Sequence, residues 1–524
     1  MEVCRESKNG IVFGEKITGV YLFLLFTVFP LAVHWGYSDI LMVKTGIFYL
    51  LTGSYSLFII FFLIKNFKNY ADSFLHVHFS FMDSLIVCFG LELMVSWLFC
   101  LDKKGQFFGI YGRNLGFLAY FFCVLLFYFV TRFLCFSQYI LTGLLAAGAV
   151  VGMIAVCNFL GFDPLSMYQQ FETNPDFMST MGNINTLSAY LGLLVPFGMV
   201  LFCVSSEIMS KAVYGGFCLW GFLGMTAANS DSAFLTVGAA FVLLLFLGKK
   251  KENGICFVLL GLEFSLANFG MAVLRQMRGE VHCIAVRQGI PKLFLDIRVN
   301  LPLAVFFGIL LLGFYICNMW KKDSEKYWFF WRKCMIALLL AVFLLLLAVI
   351  FYVNWNFGRK EAREYLGSFY RYFYFSGSWG TKRLRIWRAA LTVFGRMPIL
   401  RKLIGMGPAG FYSAAQTYLT AGELHIFDGQ GILIDTHNVY LQILVSFGII
   451  GFFLYFGIFV FACVQFFRKA GTKSYMLAFA VLEIAYLIQA LANNAHIYID
   501  PLVFALTAVG IHLCKRKEKC YGSI

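Results

Sequence analysis

The sequence predicts an all-α, polytopic membrane protein, and three observations carry that reading. Its 524 residues are 60% hydrophobic and only 13% charged, with a mean hydropathy of +0.78, too apolar for a chain that folds in water. Apolar runs of about twenty residues recur from Ile17 to Cys514, each long enough to cross roughly 30 Å of hydrocarbon as a helix. Lysine and arginine gather in alternate joints between the runs, the asymmetry that orients helices in a bilayer.

About fourteen transmembrane helices are expected. The first run, ITGVYLFLLFTVFPLAVH, follows basic residues but precedes no small-x-small cleavage site, so it reads as a retained helix and not a removed signal. Helices one to eleven fill residues 1–353 with short joints. KNFK at Lys65, KKKE at Lys249, the pair at Lys321 with WRK from Trp331, RKAGTK at Arg468 and KRKEK at Lys515 mark one side, the cytoplasmic one. An even number of helices separates these marks, which puts both termini inside. Residues 354–436 form the one long extracytoplasmic loop. Within it, EAREYLGSFYRYF and TKRLRIWRAALTVFGR show helical spacing around the breaker SGSWG. In the second segment Leu384, Trp387, Ala390, Leu391 and Phe394 share a side, predicting an amphipathic helix that lies flat on the outer leaflet. GMGPAGF from Gly405 is a turn that either brings backbone close to a ligand or redirects the chain. Residues 437–524 hold helices twelve to fourteen and a basic tail, with Gly448 and Gly451 expected to leave a groove for helix packing. The whole reads as a single membrane domain.

A net charge of +15 would suit nucleic acid, but no soluble basic domain carries it. Membrane lipid and anionic lipid-linked molecules are the expected partners, and nucleic acid is set aside. Fifteen cysteines lie mostly inside apolar runs without a C-x-x-C, so they read as helix-filling residues. No metal-ligand spacing occurs, and no metal or cofactor is expected.

The outward joints carry Arg113, Arg275, Arg278 and, on the long loop, Arg383, Arg385 and Arg388. Guanidinium groups bind phosphate oxygens in a bidentate way that lysine does not match. Each arginine alone is better read as solvated or resting on lipid headgroups. Together they suit a diphosphate held where bilayer meets water, because lost hydration there must be replaced by several donors. The stretch DTHNVYLQILVSFGIIGFF then places an acid, a hydroxyl, an imidazole and an amide at the mouth of an apolar helix. Asp435 or Thr436 is expected to cap it, leaving His437 in the first turn. The positive helix end attracts anions there and favours the neutral imidazole, the form that takes a proton from a hydroxyl. The other reading makes His437 an interfacial anchor.

At this point HNVYLQILVSFGIIGFF resembles the His-Asn-x-Tyr-Leu…Gly-x-x-Gly signature of the O-antigen ligase and polymerase family. GIYGRNLGFL from Gly109 resembles the external Gly…Arg…Gly segment of that family, and MGNINTLSAYLGLLVPF from Met181 its Gly-Asn-x-Asn segment. RLRIWRAALTVFGRMPILRKLIGMGPAGF resembles the block ahead of the histidine, and HIYIDPLVFAL from His496 the His…Asp-Pro element before the last helix. The resemblance spans Gly109 to Leu506, every motif on the expected outer side. One departure is plain: Ser230 is followed by Asp231 where the family commonly has arginine, a donor contact either lost or supplied by Arg275 or Arg278. About fourteen helices also exceed the dozen or so usual in the ligases, which leans towards the polymerases.

The resemblance implies a GT-C-like glycosyltransferase of the bacterial cytoplasmic membrane. It would pass a glycan from undecaprenyl diphosphate to an acceptor hydroxyl of a glycan or glycolipid on the outer face, without metal or nucleotide sugar. By position, His437 would be the general base that deprotonates the acceptor, or would orient it, in an inverting displacement, and Arg383 and Arg113 would hold the diphosphate, with Arg275 and Arg278 as further donors. Asn183, Asn185, Asn438 and Asp435 would shape the pocket. His496 and Asp500 read either as a supporting polar pair or as an interfacial histidine beside a helix cap. A lipid-linked oligosaccharide flippase or other transporter is the alternative, kept open by Lys44, Asp83, Glu92, Glu263 and Glu483 inside apolar runs.

Overall fold

The computed structural model describes residues 2–65, 79–110, 112–168, 176–320, 322–377, 379–380, 382–425, 427 and 432–515. The basic residues expected to mark the cytoplasmic side at 66–68, 321 and 516–519 lie outside that set. Among the described residues the chain is helical apart from joints and one short ladder, in which Phe177–Met178 pairs antiparallel with Gly182–Asn183.

Eleven long helices precede the loop: α1 (Glu2–Leu31), α2 (Ile40–Lys65), α3 (Phe81–Leu98), α4 (Phe117–Phe133), α5 (Gln138–Phe159), α6 (Ile184–Val204), α7 (Ile208–Ala227), α8 (Asp231–Leu247), α9 (Lys251–Arg278), α10 (Ile297–Met319) and α11 (Ser324–Asn356). The loop carries α12 (Arg383–Arg396) and α13 (Phe411–Tyr418) among shorter pieces, and α14 (Val439–Ala470), α15 (Met476–Gln489) and α16 (Asp500–Lys515) follow. Among the described residues nine helices, α1, α2, α3, α5, α6, α9, α10, α11 and α14, are long and apolar enough to cross a membrane, and α4, α8 and α15 are shorter apolar helices. This is a multi-pass membrane protein.

Local chemistry sets the helix starts. Ser80 and Asp83 cap α3 reciprocally, the Asp83 carboxylate accepting the Ser80 N–H at 2.8 Å. Asn183, Asp296 and Asp323 cap α6, α10 and α11 by accepting backbone N–H groups just inside each helix. The centre of the bundle is α6, packed on α7, α8 and α15 and buried at every position from Thr186 to Leu201. Small residues bring α5 and α7 nearly into backbone contact, since a Cβ on Gly224 would stand 2.7 Å from the Gly152 Cα. By contrast α11 rides on the outside, its apolar stretch unburied. It is fastened near one end by Trp328, whose indole N–H donates to the Gly248 carbonyl at 2.8 Å.

Two expectations are corrected here. Gly448 is a break in α14 and not a packing groove, with φ of +64°. The carbonyls of Val445 and Ser446, released by that break, accept the N–H groups of Met406 and Gly407 at 3.0 and 2.9 Å. A Cβ on Gly405 would overlap the Ser446 carbonyl and one on Gly448 the Leu403 carbonyl, so loop and broken helix interlock through glycines alone. The second correction concerns α12, whose buried face is not the expected one. Ile386, Ala389, Ala390 and Val393 form its buried face and join Met406, Phe411, Ala414 and Val445 in a separate core, while Leu391 is 55% exposed. Alanines on that side let α12 approach α13 and α14 closely, and the bulkier Leu391 turns away.

Candidate active site

Five joints meet at one end of the bundle: those after α1, α3, α5 and α15, and the one leading into α14. Between them lies a cavity of about 960 Å³ lined by residues that include Tyr37, Arg113, Tyr168, Asn183, Asn185, His437, Asn493, Asn494 and His496.

His437 precedes α14 and does not sit in its first turn. The cap is Asn438, not Asp435 or Thr436: its Oδ1 accepts the Leu441 N–H at 3.1 Å and its Nδ2 donates to the Leu491 carbonyl at 3.1 Å. Both ends of that amide serve backbone, and Asn438 is absent from the cavity lining. His437 has φ of +48°, a left-handed conformation uncommon outside glycine. Asp435 steadies it, one oxygen accepting the His437 backbone N–H at 2.9 Å and standing 3.6 Å from the imidazole Nε2. The other carboxylate oxygen takes the Arg113 Nε at 2.5 Å, while Arg113 Nη1 donates to the Gly112 carbonyl at 2.8 Å. Asp435 therefore ties the imidazole to a guanidinium from a distant joint.

The charges around this junction oppose one another in a defined order. Burial would raise the Asp435 carboxyl, but Arg113 and then His437 outweigh it and hold the group below its usual range. Burial pushes the His437 imidazole down, Asp435 pulls it up, and Arg113 and Arg383 push it down again, leaving it below its ordinary value. The ring is neutral at pH 7. Arg383 opens α12 behind Lys382, whose φ is +72°. Burial pulls its guanidinium down, and the Asp231 and Asp435 carboxylates offset that pull. Asp231 accepts the Tyr372 hydroxyl at 2.9 Å, and that hydroxyl, raised to about 12 by burial and then by Asp231, stays protonated. Arg383 is within electrostatic reach of His437 without lining the cavity itself.

The remaining candidates divide. Asn183 and Asn185 line the cavity, with Asn183 Oδ1 accepting the Asn185 N–H at 2.9 Å and Asn185 Oδ1 accepting the Ser230 hydroxyl at 3.2 Å. His496 and Asp500 have separate side-chain partners. His496, pushed down to about 3 by burial and then by Arg113, is hydrogen-bonded to the Gly112 backbone and accepts the Tyr498 N–H at 3.3 Å. Asp500 starts α16 and accepts the Tyr455 hydroxyl at 3.2 Å. The structure does not bring Arg275 or Arg278 to the cavity. Arg275 pairs with Glu280 at 2.8 Å and Arg278 lies 4.4 Å from the Phe162 ring centroid, local partners at the end of α9. Nor does the cavity reach the ionisable groups of the apolar runs. Lys44 Nζ donates to the carbonyls of Phe29 and Pro30 at 2.9 and 2.8 Å, closing the end of α1, and Asp83 pairs with Arg132 at 2.9 Å. Sequence reasoning missed Asn493 and Asn494; the adjacent amides three residues ahead of His496 were the available signal.

Residues 300–456, which run from α10 into α14 and contain Arg383, Asp435 and His437, match the family model described as O-Antigen ligase. Over that stretch the chain is similar to the O-antigen ligase family. No curated protein matches the chain. The matched stretch supplies the imidazole, its carboxylate and one guanidinium, while Arg113, Asn183, Asn185 and Asn493 come from outside it. The cavity is therefore built from residues inside and outside the matched stretch.

Proposed function

We propose that this protein is a metal-independent, inverting glycosyltransferase. It takes a glycan from undecaprenyl diphosphate and passes it to an acceptor hydroxyl on the outer face of the bacterial cytoplasmic membrane. In this reading all fourteen long helices, α1–α11 and α14–α16, cross the bilayer in a GT-C-like arrangement, and the cavity opens on the extracytoplasmic side. The observation that carries it is a neutral His437, held between Asp435, Arg113 and Arg383, in the lining of the cavity.

The chemistry follows from that arrangement. The acceptor oxygen attacks the anomeric carbon and loses its proton to the His437 imidazole, while the bond from that carbon to the diphosphate oxygen breaks. The leaving group departs as lipid diphosphate, and Arg383 and Arg113 neutralise the charge growing on its bridging oxygen. Helix number leans towards a polymerase over a ligase.

The test is an incubation of purified protein with a polyprenyl-diphosphate glycan and candidate acceptors, resolved by product length. A ladder of lengths identifies the polymerase and a single transferred block the ligase. Glycan that stays on its original carrier while the lipid crosses the vesicle contradicts the proposal and supports a flippase.

A further inference from the structure

The cavity holds buried amides that the proposed reaction does not use. Asn493 is 6% exposed and lines the cavity beside His437, yet among the described residues neither its Nδ2 nor its Oδ1 has a hydrogen-bond partner. The Oδ1 of Asn494, also in the lining, is likewise unmatched. Buried amides left without partners are rare because they forfeit hydration with nothing in return. Such a group in a cavity wall points to a ligand that supplies both an acceptor and a donor.

The rest of the wall narrows the class of ligand. Among the described residues no carboxylate is in the lining, which disfavours cations, and Arg113, the guanidinium there, is paired with Asp435 and assigned to the donor diphosphate. Aromatic rings form part of the wall, with Tyr37 5.0 Å from Tyr168 and 5.6 Å from Phe177 between centroids. Apolar faces alternating with amides and hydroxyls match a neutral sugar ring, which is apolar above and below and polar around its edge. We infer that this cavity binds a neutral pyranose residue of the acceptor glycan and that Asn493 reads two of its adjacent hydroxyls, donating to one oxygen and accepting from the next. The inference rests on the proposed glycosyl transfer for the word acceptor, but the binding itself is testable without any transfer.

Saturation-transfer NMR of the full chain in lipid nanodiscs, with glucose, galactose, mannose and N-acetylglucosamine as probes, provides that test. Wild-type protein is expected to transfer saturation to at least one of these sugars, with a preference among them. Asn493→Leu and Asn493→Asp, the second nearly isosteric and so a control for misfolding, are expected to weaken that binding about tenfold, the loss of one or two neutral hydrogen bonds. In the transfer assay the same variants raise the acceptor KM and leave the donor KM and kcat within about twofold. No saturation transfer to any of the four sugars, or equal binding by wild type and both variants, overturns the inference. Sugar binding without any glycosyl transfer leaves it standing and instead removes the proposed function.

Discussion

At the scale of single residues the account depends on the protonation of one ring. Burial holds the His437 imidazole below its ordinary pKa of about 6.5, so kcat/KM should rise with pH through a midpoint below that value. Asp435 is the group that pulls the imidazole up. Replacing it as Asp435→Asn should therefore move the midpoint lower still, and a pH–rate profile that shifts upward contradicts the assignment. His437→Ala should reduce the transfer rate by about 10²–10⁴, as measured by initial rates of product formation at matched protein levels. Asp435 and His437 sit together in the sequence, but the tie from Asp435 to Arg113 was not legible there, and Asp435 is neither the expected cap nor part of the cavity lining. Asn438 was not legible either, because an Asn ahead of an apolar helix fits a pocket wall and an N-cap equally well, and only the Leu441 N–H decides between them. Asn493 and Asn494 escaped notice because adjacent amides after a helix also fit a turn, and their importance comes from missing partners that a sequence does not display.

Among elements, the interlocked pair of the loop and α14 makes the sharpest claim. Gly448→Ala forces a Cβ into left-handed backbone and against the Leu403 carbonyl, at a cost of about 1–3 kcal/mol from backbone strain alone. A Cβ on Gly457, nine residues on, would meet only Leu85 at an ordinary 3.6 Å. Thermal unfolding in detergent should show a lower Tm for Gly448→Ala and none for Gly457→Ala, and equal Tm values would remove the interlock. Lys44 tests another joint: Lys44→Met deprives the Phe29 and Pro30 carbonyls of their shared donor and should destabilise by about 1–3 kcal/mol in the same measurement. The helices themselves were readable from apolar run length. The face that α12 buries was not, because Leu384, Trp387 and Leu391 look like the obvious apolar stripe, while close approach to α13 and α14 favours the smaller Ala389 and Ala390.

For the whole molecule, the long loop must lie on one side of the membrane and the α10–α11 joint on the other. In a cysteine-depleted background, Tyr365→Cys on the loop should react with an impermeant maleimide in intact cells, and Lys326→Cys only after permeabilisation; the reverse pattern inverts the orientation. The division of labour at the site is tested most directly by equilibrium binding of a polyprenyl diphosphate without glycan to nanodisc-embedded protein. Wild type and His437→Ala should bind alike, while Arg383→Ala and Arg113→Ala lose about tenfold or more in affinity. Unchanged binding by Arg383→Ala, or lost binding by His437→Ala, would contradict the roles assigned to guanidinium and imidazole.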